Sequence, residues 1–213
     1  MKKSILMVVT ILMVSTTFAQ SDKYLNAMKQ NISQSDSIMA KGNAVELANN
    51  FVRIGDAEKD KWLPYYYAAY STISQAFSEQ DNSKKDAIAD KASDYLTKAE
   101  SILGKDNSEI NVIKSMISTA HMMVDPQSRF MSYGAKATEY ARKAEMQDST
   151  NPRPVLLVAQ NTFYTPEAFG GGKDAAKPMF EKAKELYESF KPETELSPVW
   201  GKQNVAYFLA QYK

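Results

Sequence analysis

The chain has 213 residues, 44% of them hydrophobic and 24% charged, which is enough to build one buried core. With 26 basic against 25 acidic side chains it carries neither a basic footprint for nucleic acid nor an acidic tail. Cysteine is absent, which excludes disulfides, thiolate metal sites, a cysteine nucleophile and a lipid-modified cysteine behind a leader.

The first predicted element is that leader. Met1-Lys2-Lys3 is a charged start, Ser4 to Val14 is apolar and uncharged, and Ser15-Thr16-Thr17-Phe18-Ala19 supplies small residues three before and one before a cut. This is the pattern of a secretory signal peptide, with cleavage between Ala19 and Gln20. The apolar run falls short of the ~20 residues that a membrane-spanning helix requires. The expectation is a removed segment 1–19, a single domain over 20–213, and a periplasmic or secreted protein without stable membrane insertion.

Helical periodicity then continues to the end of the chain. A first helix is predicted over about Asp22 to Ala40, with Tyr24, Ala27, Met28, Ile32 and Ile38 or Met39 inward, and Gly42-Asn43 breaks it. A short second helix carries Val45, Leu47, Ala48, Phe51, Val52 and Ile54 and stops at Gly55-Asp56. The third starts near Asp60 and shows Trp62, Tyr66, Ala69, Tyr70, Ile73, Ala76 and Phe77 on one side, with Pro64 in its first turn, where no hydrogen bond is lost. Asp81-Asn82-Ser83 ends it and caps the next, with Ser83 and Asp86 spaced as a capping box; that fourth helix shows Ile88, Ala92, Tyr95, Leu96, Ala99, Ile102 and Leu103, and Gly104 closes it. The fifth opens at Asn107-Ser108 and holds Ile110, Ile113, Ile117, Ala120, His121 and Val124.

One piece of punctuation now recurs. Asp125-Pro126, Asn151-Pro152, Thr165-Pro166 and Ser197-Pro198 each pair a capping residue with proline at the first helical position. They predict helices over about Pro126 to Gln147, Pro152 to Tyr164 and Pro198 to Tyr212, and a short turn at Pro166. Between the last two marks lies an amphipathic helix, Ala175 to Phe190, with Ala176, Met179, Phe180, Ala183, Leu186, Tyr187 and Phe190 on its apolar stripe. The count is about nine.

A small–large–small signature recurs on the second helix of successive pairs. It reads Ala92-x3-Leu96-x2-Ala99, Ala137-x3-Ala141-x2-Ala144 and Ala176-x3-Phe180-x2-Ala183, with a fainter copy at Ala44-x3-Ala48-x2-Phe51. This resembles the tetratricopeptide repeat family, whose second helix reads A-x3-F-x2-A before a turn. Phe169-Gly-Gly-Gly-Lys-Asp-Ala-Ala-Lys-Pro-Met-Phe-Glu-Lys-Ala183 and the Asn151-Pro152-Arg153 helix start are similar to segments of small secreted TPR-like proteins of Gram-negative bacteria. The first-helix pattern W-x2-L-G-x2-Y has only the partial echo Trp62-x2-Tyr65-Tyr66, and the copies lie 48, 45 and 39 residues apart against the family's 34. The resemblance implies an all-α protein, antiparallel helix pairs stacked as a short right-handed TPR-like α-solenoid, its last helix covering the open end. It also implies a binding groove lined by the first helix of each pair, with Tyr65, Tyr67, Asn111, Lys114, Gln160 and Tyr164 as candidate contacts.

Reactive chemistry finds little support. His121 is the single histidine, one turn before Asp125, and no nucleophile elbow accompanies the pair; it reads as a histidine at a helix C-terminus. A histidine metal site lacks a second histidine. Gly170-Gly171-Gly172-Lys173 is no phosphate loop, since Glu167 and Asp174 stand where glycine and Ser/Thr belong. Glu181, Glu185 and Glu188, interleaved with lysines, read as a solvated helix face. In Trp62, Tyr65, Tyr66, Tyr67 and Tyr70 too many rings crowd one helix to share one face, so they either pack against several neighbours or anchor a partner. The sequence therefore predicts no catalysis, no cofactor and no bound metal. It predicts a module that binds a protein or peptide of the cell envelope, or alternatively an auxiliary of solute transport holding an apolar solute between helix pairs. Phe180→Ala is expected to cost on the order of 3–5 kcal/mol, as loss of a buried ring does, and a melting curve measures it.

Overall fold

The computed structural model describes residues 22–212; the predicted leader and its Ala19–Gln20 junction lie outside the described residues. Over those residues the chain is helical and contains no strand. In order come α1 (22–40), α2 (Ala44–Glu58), α3 (Leu63–Ser78), α4 (Asn82–Leu103) and α5 (Ser108–Val124). They are followed by α6 (Pro126–Arg129), a π-helical turn (Phe130–Gly134), α7 (Ala135–Gln147), α8 (Pro152–Tyr164), a 3₁₀ turn (Glu167–Phe169), α9 (Lys173–Ser189) and α10 (Lys202–Ala210). With α6, the π turn and α7 taken as one rod, nine helices span the described residues, as the periodicity predicts.

Side chains set several of the helix starts. Asn107 accepts from the Ile110 amide at 2.9 Å, and Asn151 accepts from the Arg153 amide at 3.0 Å. At α4 the cap is Asp81, which accepts from the Ser83 amide at 3.0 Å; the predicted Ser83–Asp86 box does not form, because Asp86 turns away toward α5 and α6. The predicted stop at Gly55 is also corrected. Gly55 lies inside α2 and is buried, and a Cβ there would come within 2.8 Å of the Tyr65 ring, so the glycine is a seat for that ring.

The Ser197-Pro198 mark does not open a helix. Ser197 Oγ receives the Thr194 amide at 2.9 Å and Pro198 offers its carbonyl to Arg153, so the segment is held as a turn. α10 starts only after Gly201, whose φ of 106° is a left-handed value; a Cβ there would run into the Tyr187 hydroxyl.

The small–large–small copies are the contact stripes. Ala92, Leu96, Ala99, Ala137, Ala141, Ala144, Ala176, Phe180, Ala183, Ala44, Ala48 and Phe51 are all buried. Alanine at these positions removes side-chain bulk, so a neighbouring helix reaches the backbone. Accordingly α2 packs on α3, α3 on α4, α4 on α5, α5 on α7 and α8 on α9, while α5 also touches both α3 and α8. A main core joins Met28 of α1 to the inner faces of α2–α5, and a second core joins α8, α9 and α10 around Phe180, which stacks on Phe208 at 4.7 Å.

A polar knot ties the C-terminal segment to this frame. Arg153, 1% exposed, is the largest fully buried side chain; it clamps both carboxylate oxygens of Glu109 on α5 and donates to the Pro198 carbonyl at 2.8 Å. Tyr66 donates to the same carboxylate at 2.7 Å, Trp200 Nε1 donates to the Tyr66 hydroxyl at 3.0 Å, and Asn151 donates to Glu109 at 2.7 Å. Burial opposes the charge on Arg153, but Glu109, Tyr66 and Tyr187 together outweigh it and raise the guanidinium above its ordinary range. Arg153→Ala leaves Glu109 buried without its counter-charge, and the expected loss is about 3–5 kcal/mol in urea unfolding. A Glu109→Gln/Arg153→Met double variant is expected to lose less than that.

Candidate functional site

The six groove candidates do not converge on one surface. Tyr65, Tyr67 and Asn111 are buried, Lys114 and Gln160 are half-buried, and Tyr164 alone is well exposed, at 72%. The correction has a packing reason: the tyrosines of α3 are consecutive, so their rings leave the helix in different directions and each meets a different neighbour. Tyr65 lies on α2 and donates to Asp56 at 2.5 Å, Tyr66 reaches Glu109, and Tyr67 stacks on Phe51 at 5.1 Å and donates to the Leu196 carbonyl at 2.9 Å. Burial pushes the Tyr67 hydroxyl well above its ordinary range, and it stays protonated. Asn111 donates to Asp106 and Gln147, both at 2.8 Å, joining α5 to the end of α7. Lys114 pairs with Glu100 at 2.7 Å.

His121 does not pair with Asp125. Its Nδ1 lies 2.7 Å from Asp86 Oδ1, its ring stacks on Tyr133 at 5.0 Å, and Asp125 instead caps α6 through Ser128. Arg129 grips both oxygens of Asp86, at 2.7 and 2.9 Å, and donates to the His121 carbonyl at 3.0 Å. The Arg129 hydrogen bond is the main reason that the Asp86 carboxyl is held below its ordinary range; partial burial opposes this and His121 adds to it. The cluster joins α4, α5 and α6 and braces the π turn from one side.

The π turn itself was not legible as a site. In an unbroken α-helix Phe130 would fall seven residues before Ala137, on the same buried stripe as Ala137, Ala141 and Ala144. Each residue advances an α-helix by about 100°, so the wider π turn changes the register and turns the ring outward. Phe130 is 40% exposed and Met131 83%. Phe130 lies over Gly134, where a Cβ would meet its ring at 3.3 Å and the Met122 sulfur at 3.1 Å. Opposite stands Phe169 on the 3₁₀ turn, 74% exposed, its ring centroid 6.3 Å from that of Phe130. The loop that presents Phe169 is fixed by Gly171, where a Cβ would strike the Thr165 carbonyl. The Lys136 ammonium lies 5.6 Å and the Arg129 guanidinium 5.7 Å from the centre of the Tyr133 ring. Contiguous exposed apolar surface of this kind is a recognition feature.

No protein-family model and no curated protein matches the chain. Among solved structures it is similar to the HusA haemophore from Porphyromonas gingivalis, with 36% sequence identity and a TM-score of 0.79 over 89% of this chain and 92% of that one. The chain belongs to the HusA family.

Depressions also lie elsewhere on this HusA-family chain. An open groove of about 790 Å³ between α1 and α2 is lined by Tyr24, Gln30, Asn31, Gln34, Arg53 and Glu58, among others, and a second of about 500 Å³ adjoins it through Asn50 and Arg53. Tyr24, Ala27, Ile54 and Ala57 stand among the amides and charges of the larger groove, so its lining is mixed. Among the described residues no group of three His, Cys, Asp or Glu side chains is placed to hold a metal ion, and no helix is long and apolar enough to cross a membrane. A group with a lowered folded pKa contributes stability above its ordinary pKa and loses it as the pH falls through the lowered value. Asp86→Asn is therefore expected to lower the melting temperature at pH 7, with the gap to wild type closing as the pH drops below the ordinary carboxylate value of about 3.9. A melting series across pH checks this.

Proposed function

We propose that this protein is a carrier, not a catalyst, for a haem-class tetrapyrrole, held as cargo on the aromatic surface of the π turn and acting outside the cytoplasm. The observation that carries the reading is the exposed Phe130–Phe169 pair, 6.3 Å between centroids, in a chain 36% identical to a haemophore over 92% of that protein. A tetrapyrrole is a large apolar disc, and its burial against aromatic side chains is driven by the area taken from water. Two rings that stand out of a rigid helical frame supply such area without a rearrangement of the core. Preorganisation of this kind lowers the entropic cost of binding.

The alternating helix contacts and the buried alanine stripes favour the TPR-like stack that the sequence resembles, and within it the cargo would rest near the junction of α5, α7 and α8. The leader pattern supports export. Between the two earlier expectations, this reading follows the small-ligand one. A peptide groove along the first helices has less support, because Tyr65, Tyr67 and Asn111 are enclosed.

Titration of the mature chain with haemin, followed by absorbance, is expected to show saturable binding. Phe130→Ser and Phe169→Ser are each expected to weaken it about tenfold, equivalent to about 1.4 kcal/mol. Their melting curves should stay near wild type, since both rings are exposed. Full affinity in the double variant would remove the π turn from the site, and absence of haemin binding in the wild type would end the proposal.

A further inference from the structure

We infer that the groove between α1 and α2 is a second binding site, built for an acetamido sugar of the N-acetylhexosamine class. It is made from helices that contribute nothing to the Phe130–Phe169 pair, so it does not rest on the reading above. The groove has a volume of about 790 Å³, within the ~300–1,000 Å³ of small-ligand pockets. Its lining on α1 runs from Lys23 to Gln34, about 16 Å along the axis, which is long enough for a short oligosaccharide.

The chemistry of the lining selects the ligand. Gln30, Asn31, Gln34 and Asn50 offer amides that both donate and accept, as sugar hydroxyls do. Two of these amides are oriented before any ligand arrives. Asn31 donates its Nδ2 to the Ala27 carbonyl at 2.9 Å, which leaves Oδ1 as an acceptor. Asn50 receives Arg53 on its Oδ1, which leaves Nδ2 as a donor. An acetamido group carries one N–H and one C=O, and that acceptor and that donor complement it. Its methyl needs a small apolar seat, and the same groove supplies one. Ala27 stands one turn from Asn31 on α1, Ile54 one turn from Asn50 on α2, and Ala57 one turn beyond Arg53. Tyr24 lies at the α1 start of the groove, half-buried, and offers a ring face to sugar C–H groups. Burial, with Glu58 and Asp60 adding to it, pushes its hydroxyl up to about 12, so it stays a donor. An apolar disc gains little here, because the amides would lose water without finding partners.

The test titrates the mature chain with tri-N-acetylchitotriose and with cellotriose, followed by calorimetry. Cellotriose is the same β-linked trisaccharide with hydroxyls in place of the acetamido groups. Wild type is expected to bind tri-N-acetylchitotriose saturably and about tenfold more tightly than cellotriose, as one or two net hydrogen bonds allow. Asn31→Ala and Asn50→Ala should each remove most of that preference. Ala57→Leu should weaken tri-N-acetylchitotriose by filling the methyl seat, while Phe130→Ser should leave both sugars unchanged. Alanine is a strong helix former and Ala57 is exposed, so the three groove variants keep the fold, and a melting curve checks it. The inference is overturned if wild type does not bind tri-N-acetylchitotriose or binds the two trisaccharides alike. It is equally overturned if the preference survives both alanine variants, or is lost in Phe130→Ser instead.

Discussion

The buried pair of Glu109 and Arg153 is the constraint on which the rest of the structure depends. A guanidinium 1% exposed has no water to fall back on, so every element that touches it must bring an acceptor or an aromatic face. Glu109 comes from the start of α5 and the Pro198 carbonyl from the segment before α10, while Asn151 at the cap of α8 and Tyr66 of α3 donate to the same Glu109 carboxylate. Phe190 and Trp200 lie against its charged plane, with centroids at 5.0 and 5.8 Å. Sites far apart in the chain are thereby fixed against one another by one side chain. Hydrophobic stripes alone are less selective, because one alanine face can slide along another at little cost.

α5 links this knot to the candidate site. Glu109 lies in its first turn and Met122 near its end, thirteen residues later, which is about 20 Å along the axis. One end is anchored in the core by an ion pair. The other end supplies the His121 ring that stacks on Tyr133 and the Met122 sulfur beside the seat of Phe130. The Asp86–Arg129 clamp then crosses from α4 to α6 and limits how far the π turn can shift. The exposed rings therefore stand on a braced platform, and that distinguishes them from apolar residues on a floppy loop.

The π turn is also where local rule and tertiary outcome part. A continuous helix from Pro126 to Gln147 would bury Phe130 with the alanines. The wider turn gives up regular hydrogen bonding over a few residues and turns Phe130 outward, where it meets Phe169. Departures from regular geometry often coincide with function, and here the departure and the exposed rings fall on one surface.

Much of the fold was written in local pattern. Helix positions, the caps at Asn107 and Asn151, the left-handed Gly104 and the burial of every small–large–small copy follow from periodicity and turn chemistry, which act over a few residues. Long-range pairing had no such signature. That Tyr65, Tyr66 and Tyr67 would each find a separate partner, that His121 would choose Asp86 thirty-five residues away over Asp125 in the next turn, and that Ser197-Pro198 would serve Arg153 instead of opening a helix were decided only by packing. The same holds for the site. Phe130 and Phe169 look ordinary in the sequence, and only a change of helical register, set by what α5 and the 3₁₀ loop press against, brings them to one surface. Sequence alone determined where most of the helices lie and which faces are apolar, because those are properties of neighbours along the chain; tertiary structure decided which apolar side chains remain outside, because that depends on what is left after every better partner is taken.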